Sequence, residues 1–238
     1  MQLIRQIAGI GNRFARDRSG LALLEFAFAL PIVLSIGLYG VEMANLALMN
    51  LRVSQTALNL ADNASRVGTR TNLASVQLRE IDIIDVFDQV RQQTAKWNLA
   101  NRGRITLSSL ENSSGTQRLH WQRCLGLKKG TNWDSTYGTT PVTAGSDATA
   151  ANQGTAMPQG MGPTGKKVMA PSGSGVIFVE INYDYQPLVS SLWLPGGSAR
   201  IQYIASFIVR DRRDFSQIFN PSPAVAASDK LTCNRYTT

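Results

Sequence analysis

The chain has 238 residues, room for one domain with an anchor or for two small domains, and it carries a net charge of +8, a single histidine and two cysteines. With one histidine and no Ser–His–Asp, HExxH or cysteine–histidine metal pattern, the common hydrolytic and zinc-dependent chemistries are excluded; the chain reads as a non-enzyme with no cofactor. Beyond residue 20 the positive charges are scattered, apart from Lys128-Lys129, Lys166-Lys167 and Arg210 to Arg213. No basic helix, finger or aromatic RNA-binding pattern accompanies them, which argues against nucleic acid as a partner.

Residues 1–20 form a short basic leader, with Arg5, Arg13, Arg16 and Arg18 against Asp17 and Gly20 at its end. An apolar run follows at once. It is interrupted by Glu25 and is then free of charge from Phe26 to Val41. Sixteen such residues rise about 24 Å as a helix, slightly short of the roughly 30 Å hydrocarbon core and its usual requirement of about 20 residues. The run becomes long enough if the helix continues through Glu42 or if Glu25 sits at the inner edge. The sequence therefore predicts one membrane-spanning helix over about Leu21 to Met49. Arginines before a span keep the N-terminus in the cytoplasm, which puts the remainder outside it. An ordinary secretory signal has an apolar region of about 7–15 residues ending in a small-residue cleavage site. Here the run is longer, and its Ala27-x-Ala29 pattern lies inside it, so cleavage before the run is the better reading.

Three features of the run point to helix–helix contact. Pro31 frees a backbone carbonyl that a neighbour can satisfy. Gly37 and Gly40 are three apart, and Ala44 is four beyond Gly40, a spacing that lets another helix approach closely. Glu25 is costly at the edge of hydrocarbon and needs a partner. Cleavage after Gly20 would create one in the amine of Leu21, one helical turn away in the same chain or presented by a neighbour. The plainer alternative is a signal anchor with a glutamate near its inner end.

RDRSG followed by LALLEFAFALPIVL resembles the start of TadE-like proteins, the minor pilins or pseudopilins of the Flp (Tad) pilus system. The matching features are the basic leader, Gly20, Glu25 and Phe26 at the fifth and sixth places after it, and Leu30-Pro31 in the run; Glu42 also fits. The resemblance covers about 35 residues closely and is loose to Asn63. It implies cleavage between Gly20 and Leu21 by a prepilin peptidase, and Glu25, with Phe26, as the recognition and assembly element. It further implies other Tad pilus components and pilin subunits as partners, and an inner-membrane location with a periplasmic C-terminal domain.

Past the run, Leu46, Met49, Val53, Leu58, Leu60 and Ala64 keep helical spacing, so the first helix is expected to run to about residue 67 and stop at Gly68. Ser75 to Trp97 reads as a second, amphipathic helix with Ile81, Ile84, Phe87 and Val90 or Arg91 at three-residue steps, and Glu80, Asp82, Asp85 and Asp88 as a solvated acidic face. Arg104 to Leu110 and Gln117 to Leu125 read as strands joined by ENSSG, with His120 as a surface or packed position. Residues 128–175 lack periodicity and read as a flexible Gly/Ser/Thr-rich excursion. Within them GMGPTGKK approximates a phosphate loop, but Lys167 stands where Ser or Thr should be, and no strand or helix frames it. Gly175 to Leu188 and Ala199 to Arg210 alternate as two further strands, and Asp211 to Thr238 reads as a tail. Cys124 and Cys233 are expected to pair in an oxidising compartment, closing a loop of about 110 residues that loop-closure entropy values at about 4–5 kcal/mol.

The expected fold is α+β and pilin-like: a long N-terminal helix, membrane-spanning in its first half, a second helix, and an antiparallel sheet of about four strands. Its parts are a leader at 1–20, a span at 21–49 and an outer domain at 50–238. The alternative function is a single-pass anchored periplasmic binding or structural protein unrelated to pili.

Overall fold

The computed structural model describes residues 19–70, 75–113, 115–140 and 151–238. The basic leader up to Arg18 lies outside the described residues, as do 71–74 after the first helix, Ser114 in the expected ENSSG turn and 141–150 in the expected excursion. Helix α1, Ser19–Arg66, is 48 residues long and passes through Pro31 without interruption. It is about 70 Å long at 1.5 Å per residue.

The helix has two unlike halves. Every residue from Gly20 to Val41 is exposed. From Glu42 onward one stripe turns inward through Leu46, Met49, Val53, Ala57, Leu60 and Ala64, at the three- and four-residue steps of one helix face. Leu58, expected on that stripe, is exposed; the smaller Ala57 takes the inward position and lets the backbone come close to the sheet. The domain thus begins to grip the helix at Glu42, earlier than the boundary near Met49 that hydropathy places. Arg213 ends the helix: its Nη2 donates to the carbonyls of Ala64 at 3.1 Å and Val67 at 2.7 Å, which no further helical turn would satisfy. Gly68 follows at φ +152°, where a Cβ would meet Val76 Cγ1 at 2.5 Å.

The second helix, α2, spans Glu80–Thr94 and ends in a 3₁₀ turn, Ala95–Trp97. It starts later than the expected Ser75. The preceding residues are extended because Val76–Gln77 (β2) pairs with Thr69–Arg70 (β1), and the Val76 N–H and C=O bond to Arg212 and Asp214. Its buried face is Ile83, Val86, Phe87 and Val90, with Glu80 and Asp82 beside them; Ile81 is exposed and Ile84 half-buried. The expected acidic face is therefore solvated only at Asp85 and Asp88. Asp82 closes onto Arg79 at the helix start, accepting from its N–H at 2.9 Å and its guanidinium at 2.6 Å. A short helix, α3 (Leu99–Arg102), leads into the sheet.

The sheet is antiparallel with five strands, β3 Gly103–Ser113, β4 Thr116–Leu125, β5 Thr155–Ala156, β6 Gly175–Asp184 and β7 Arg200–Ile208, in the order β5-β4-β3-β6-β7. The hairpin between β3 and β4 is tighter than ENSSG suggests, since Ser113 already pairs with Thr116. Register then decides the two faces. Ile105, Leu107, Ile177, Val179, Ile181, Tyr183, Ile201 and Ala205 point to α1 and α2 and form the main core with their buried stripes. Leu110, Val176, Phe178 and Leu119 point the other way.

That second face is covered by the stretch read as a flexible surface excursion. Met161 and Ala170 are buried against it, with Tyr137, Met157 and Val168 packed around them. Gly154, at φ +73°, comes so close to β4 that a Cβ would lie 2.0 Å from the Leu119 carbonyl. Over its described parts the excursion is a lid on the sheet. It anchors through single apolar residues rather than a periodic stripe. The expected tail is likewise built in: Leu231 O accepts from Cys124 N–H at 2.7 Å, and Thr237 O from Gly126 N–H at 2.8 Å. Cys124 and Cys233 form a disulfide with Cα atoms 4.8 Å apart. Arg104, fully buried, donates to the carbonyls of Cys233 and Arg235 and lies 4.3 Å from the Tyr236 ring.

Candidate functional site

Two arrangements outside the main core carry chemistry: the bare half of α1 and the clasp at its base. On the bare half, Gly20, Leu21, Glu25 and Phe26 all lie exposed on the first turns. Glu25 is the only ionisable side chain between Gly20 and Tyr39. Among the described residues, apart from the helix's own turns, nothing lies within 4 Å of where a Cβ of Gly37 or Gly40 would sit, and Ala44 is exposed. The described part of the domain leaves the small-residue stripe open. Ser35 Oγ donates to the Pro31 carbonyl at 2.7 Å. Over Gly20–Arg66, α1 is long and apolar enough to cross a membrane.

Glu42 marks the end of that half. It is fully buried although it directly follows the charge-free run. Its Oε1 accepts from Tyr185 Oη at 2.5 Å, and its Oε2 from the Val189 N–H at 2.8 Å. Asn45 Nδ2 donates to the same Tyr185 oxygen at 2.7 Å. Burial, and then the bond to Glu42, push the Tyr185 phenol up to about 12. A buried carboxylate is expensive unless it is hydrogen-bonded; the segment after β6 supplies its donors. Sequence reading noted Glu42 but had no means to find Tyr185, which lies 143 positions away.

Other buried polar groups stitch the domain together. Arg123 on β4 and Glu80 on α2 form a bidentate pair, Nε to Oε1 at 2.6 Å and Nη2 to Oε2 at 2.7 Å. His120 is the extra residue where the β3–β4 register slips. It is buried, with Nδ1 2.6 Å from Glu111 Oε2 and Nε2 3.1 Å from the Asn152 carbonyl, and Ser109 Oγ donates to Glu111 at 2.7 Å. Because the serine faces the glutamate and not the imidazole, these three side chains do not form a nucleophile–base pair. Among the described residues no group of three or more His, Cys, Asp or Glu could hold a metal ion.

Glu180 on β6 lies under the lid, where Ser135 Oγ donates to one oxygen and the Thr136 N–H to the other at 3.2 Å. Burial pushes its pKa from 4.5 to about 7, against the downward pull of both hydrogen bonds. The folded chain therefore binds the proton more tightly than the unfolded one. Stability from this group is greatest below about pH 4.5 and falls as pH rises toward 7, by on the order of 2–3 kcal/mol. Glu180→Gln should remove that slope and make the chain more stable than its parent at pH 8. Urea midpoints of both at pH 5 and pH 8 check this; parallel changes in the two proteins would refute it.

The geometry defines an α+β domain carried on one half of a long helix whose other half is bare and apolar. Compared with family models, curated proteins and solved structures, the chain gives no match.

Proposed function

We propose that the chain is a membrane-anchored minor pilin or pseudopilin that takes part in assembling a Flp/Tad-type pilus, an appendage of surface attachment. In this reading a prepilin peptidase removes the leader after Gly20, and the new amine of Leu21 faces Glu25 one turn along. The domain stands in the periplasm on the inner membrane. The observation that carries the reading is the bare half of α1: charge-free from Phe26 to Val41, with one acid at Glu25 and an open small-residue stripe. A helix so built is adapted to lie among other helices, while the half beyond Glu42 is already occupied by its own domain.

Processing is the test. The mature chain is expected to begin at Leu21 in cells with an active prepilin peptidase, and Gly20→Arg is expected to leave the longer precursor, because the arginine cannot enter a site shaped for a residue without a side chain. N-terminal sequencing of the membrane-extracted protein, with and without the peptidase, checks both. An uncleaved N-terminus in the peptidase-positive strain would instead favour a single-pass anchored binding or structural protein unrelated to pili.

A further inference from the structure

We propose that the segment between β6 and β7 is a second membrane contact, a shallow wedge that enters the headgroup layer beside the point where α1 leaves the bilayer. The proposal rests on the reading of α1 as a membrane span. From Tyr185 to Ala199 the segment has no charged residue, although Asp184 and Arg200 flank it. Leu188 is 68% exposed and Leu192 88%, the latter the most exposed large apolar side chain of the described residues. Single exposed leucines on a soluble surface need no explanation. Two of them lie on an uncharged loop that meets the uncovered apolar helix through Trp193 and Tyr39, a grouping that scattered surface leucines do not explain.

The loop is held at a defined height. Glu42 receives Val189 N–H and Tyr185 Oη, and the Trp193 ring stands edge-on to Tyr39 with centroids 6.3 Å apart. Glu42 is also the first charged residue after the charge-free run, so the loop sits where hydrocarbon gives way to headgroups. Tyr39 and Trp193 are the two aromatic types that concentrate at that depth. Part of the loop's backbone is bonded within the loop. The Leu192 N–H bonds to Ser190 Oγ at 3.2 Å, Leu194 N–H to the Ser191 carbonyl at 3.1 Å and Gly197 N–H to the Leu194 carbonyl at 3.0 Å. With Tyr185 N–H on the Ala199 carbonyl and Val189 N–H on Glu42, five of the loop's backbone donors are satisfied within the protein, and the hydrated headgroup layer can satisfy others. The wedge would also lengthen the apolar contact of a run slightly short for the bilayer.

The test uses the full chain reconstituted at high lipid-to-protein ratio in vesicles of phosphatidylcholine and phosphatidylglycerol. Cys124 and Cys233 are bonded to each other, so a spin label goes only to an introduced cysteine. Leu188→Cys and Leu192→Cys probe the wedge. Leu34→Cys reports the bare half of α1, and Ser172→Cys, exposed just before the far end of β6, reports bulk solvent. Collision with oxygen, which dissolves in lipid, is compared with collision with a water-soluble nickel complex. The expected result is an oxygen-to-nickel ratio at 188 and 192 several-fold above that at 172 and below that at 34. Nickel-dominated labels at 188 and 192 with an oxygen-dominated label at 34 would overturn the wedge and leave the span standing. A nickel-dominated label at 34 would overturn both. Labels at 188 and 192 shielded from both reagents, with spin–spin broadening that persists on dilution in lipid, would overturn the wedge in favour of contact with a second copy of the chain.

Discussion

Glu80→Ala is expected to destabilise the chain by about 3–5 kcal/mol, because it takes the bidentate carboxylate counter-charge from the buried Arg123 guanidinium. The arginine side chain is wholly excluded from solvent and the glutamate is 2% exposed, so water cannot stand in for the lost carboxylate. The loss is a large share of the roughly 5–15 kcal/mol that holds a domain of this kind together. Arg123→Met removes the opposite partner, leaves Glu80 buried and unpaired, and is expected to cost a comparable amount. The double replacement Glu80→Leu with Arg123→Met exchanges the pair for apolar groups. It is expected to recover most of the loss, since two charges no longer have to be desolvated. Urea midpoints of the detergent-solubilised full chain, followed by near-ultraviolet circular dichroism, supply the cycle. If each single replacement moved stability by less than about 1 kcal/mol, the pair would not be desolvated and the docking of α2 on β4 would rest on apolar contacts alone.

That pair also marks where the sequence stops being readable. The α+β class, the long first helix and strands β6 and β7 are legible because each depends on a local period. One helix face repeats every three to four residues from Leu46 to Ala64, and Ile177, Val179, Ile181 and Tyr183 alternate along β6. Glu80 and Arg123 have no such signature. The glutamate belongs by pattern to the acidic side of α2, and the arginine sits in a run, QRLHWQRCL, that mixes polar and apolar residues. What buries them is each other, across 43 positions. The same holds for Glu42 with Tyr185 and Glu180 with Ser135. The lid over the second face was illegible for a related reason: Met161 and Ala170 are single anchors in a Gly/Ser/Thr-rich background, and backbone close approach at Gly154 does the rest. The C-terminal segment attaches by the Cys124–Cys233 disulfide, which the cysteine count foretells, and by backbone hydrogen bonds and Arg104, which a hydropathy pattern does not register.

The bare half of α1 poses the reverse situation. There the sequence is most informative, and among the described residues only Trp193, against Tyr39, is seen to pack on what it displays. If Glu25 merely decorates a signal anchor, Glu25→Leu should insert at least as well, because a carboxylate at the edge of hydrocarbon is unfavourable. In the proposed function the outcome differs. Glu25 faces the Leu21 amine of its own or a neighbouring helix, and removing it leaves a poorly solvated cation without its counterion. Such stranding costs up to about 3–5 kcal/mol when burial is complete and less near an interface. The charge-free run and its length are untouched, so the protein should still fractionate with the membrane. Cleavage should persist, because the scissile bond lies a full helical turn from Glu25. Piliation and co-purification with other pilus components should be lost. Glu25→Asp should be intermediate, since it keeps the charge and shortens the reach by one methylene. Gly40→Leu, which fills the open stripe without altering charge, should lower co-purification while leaving cleavage and membrane fractionation intact. Fractionation, cleavage and piliation measured in the same strains separate the two accounts. Normal piliation with Glu25→Leu would make the glutamate an incidental feature of an anchor.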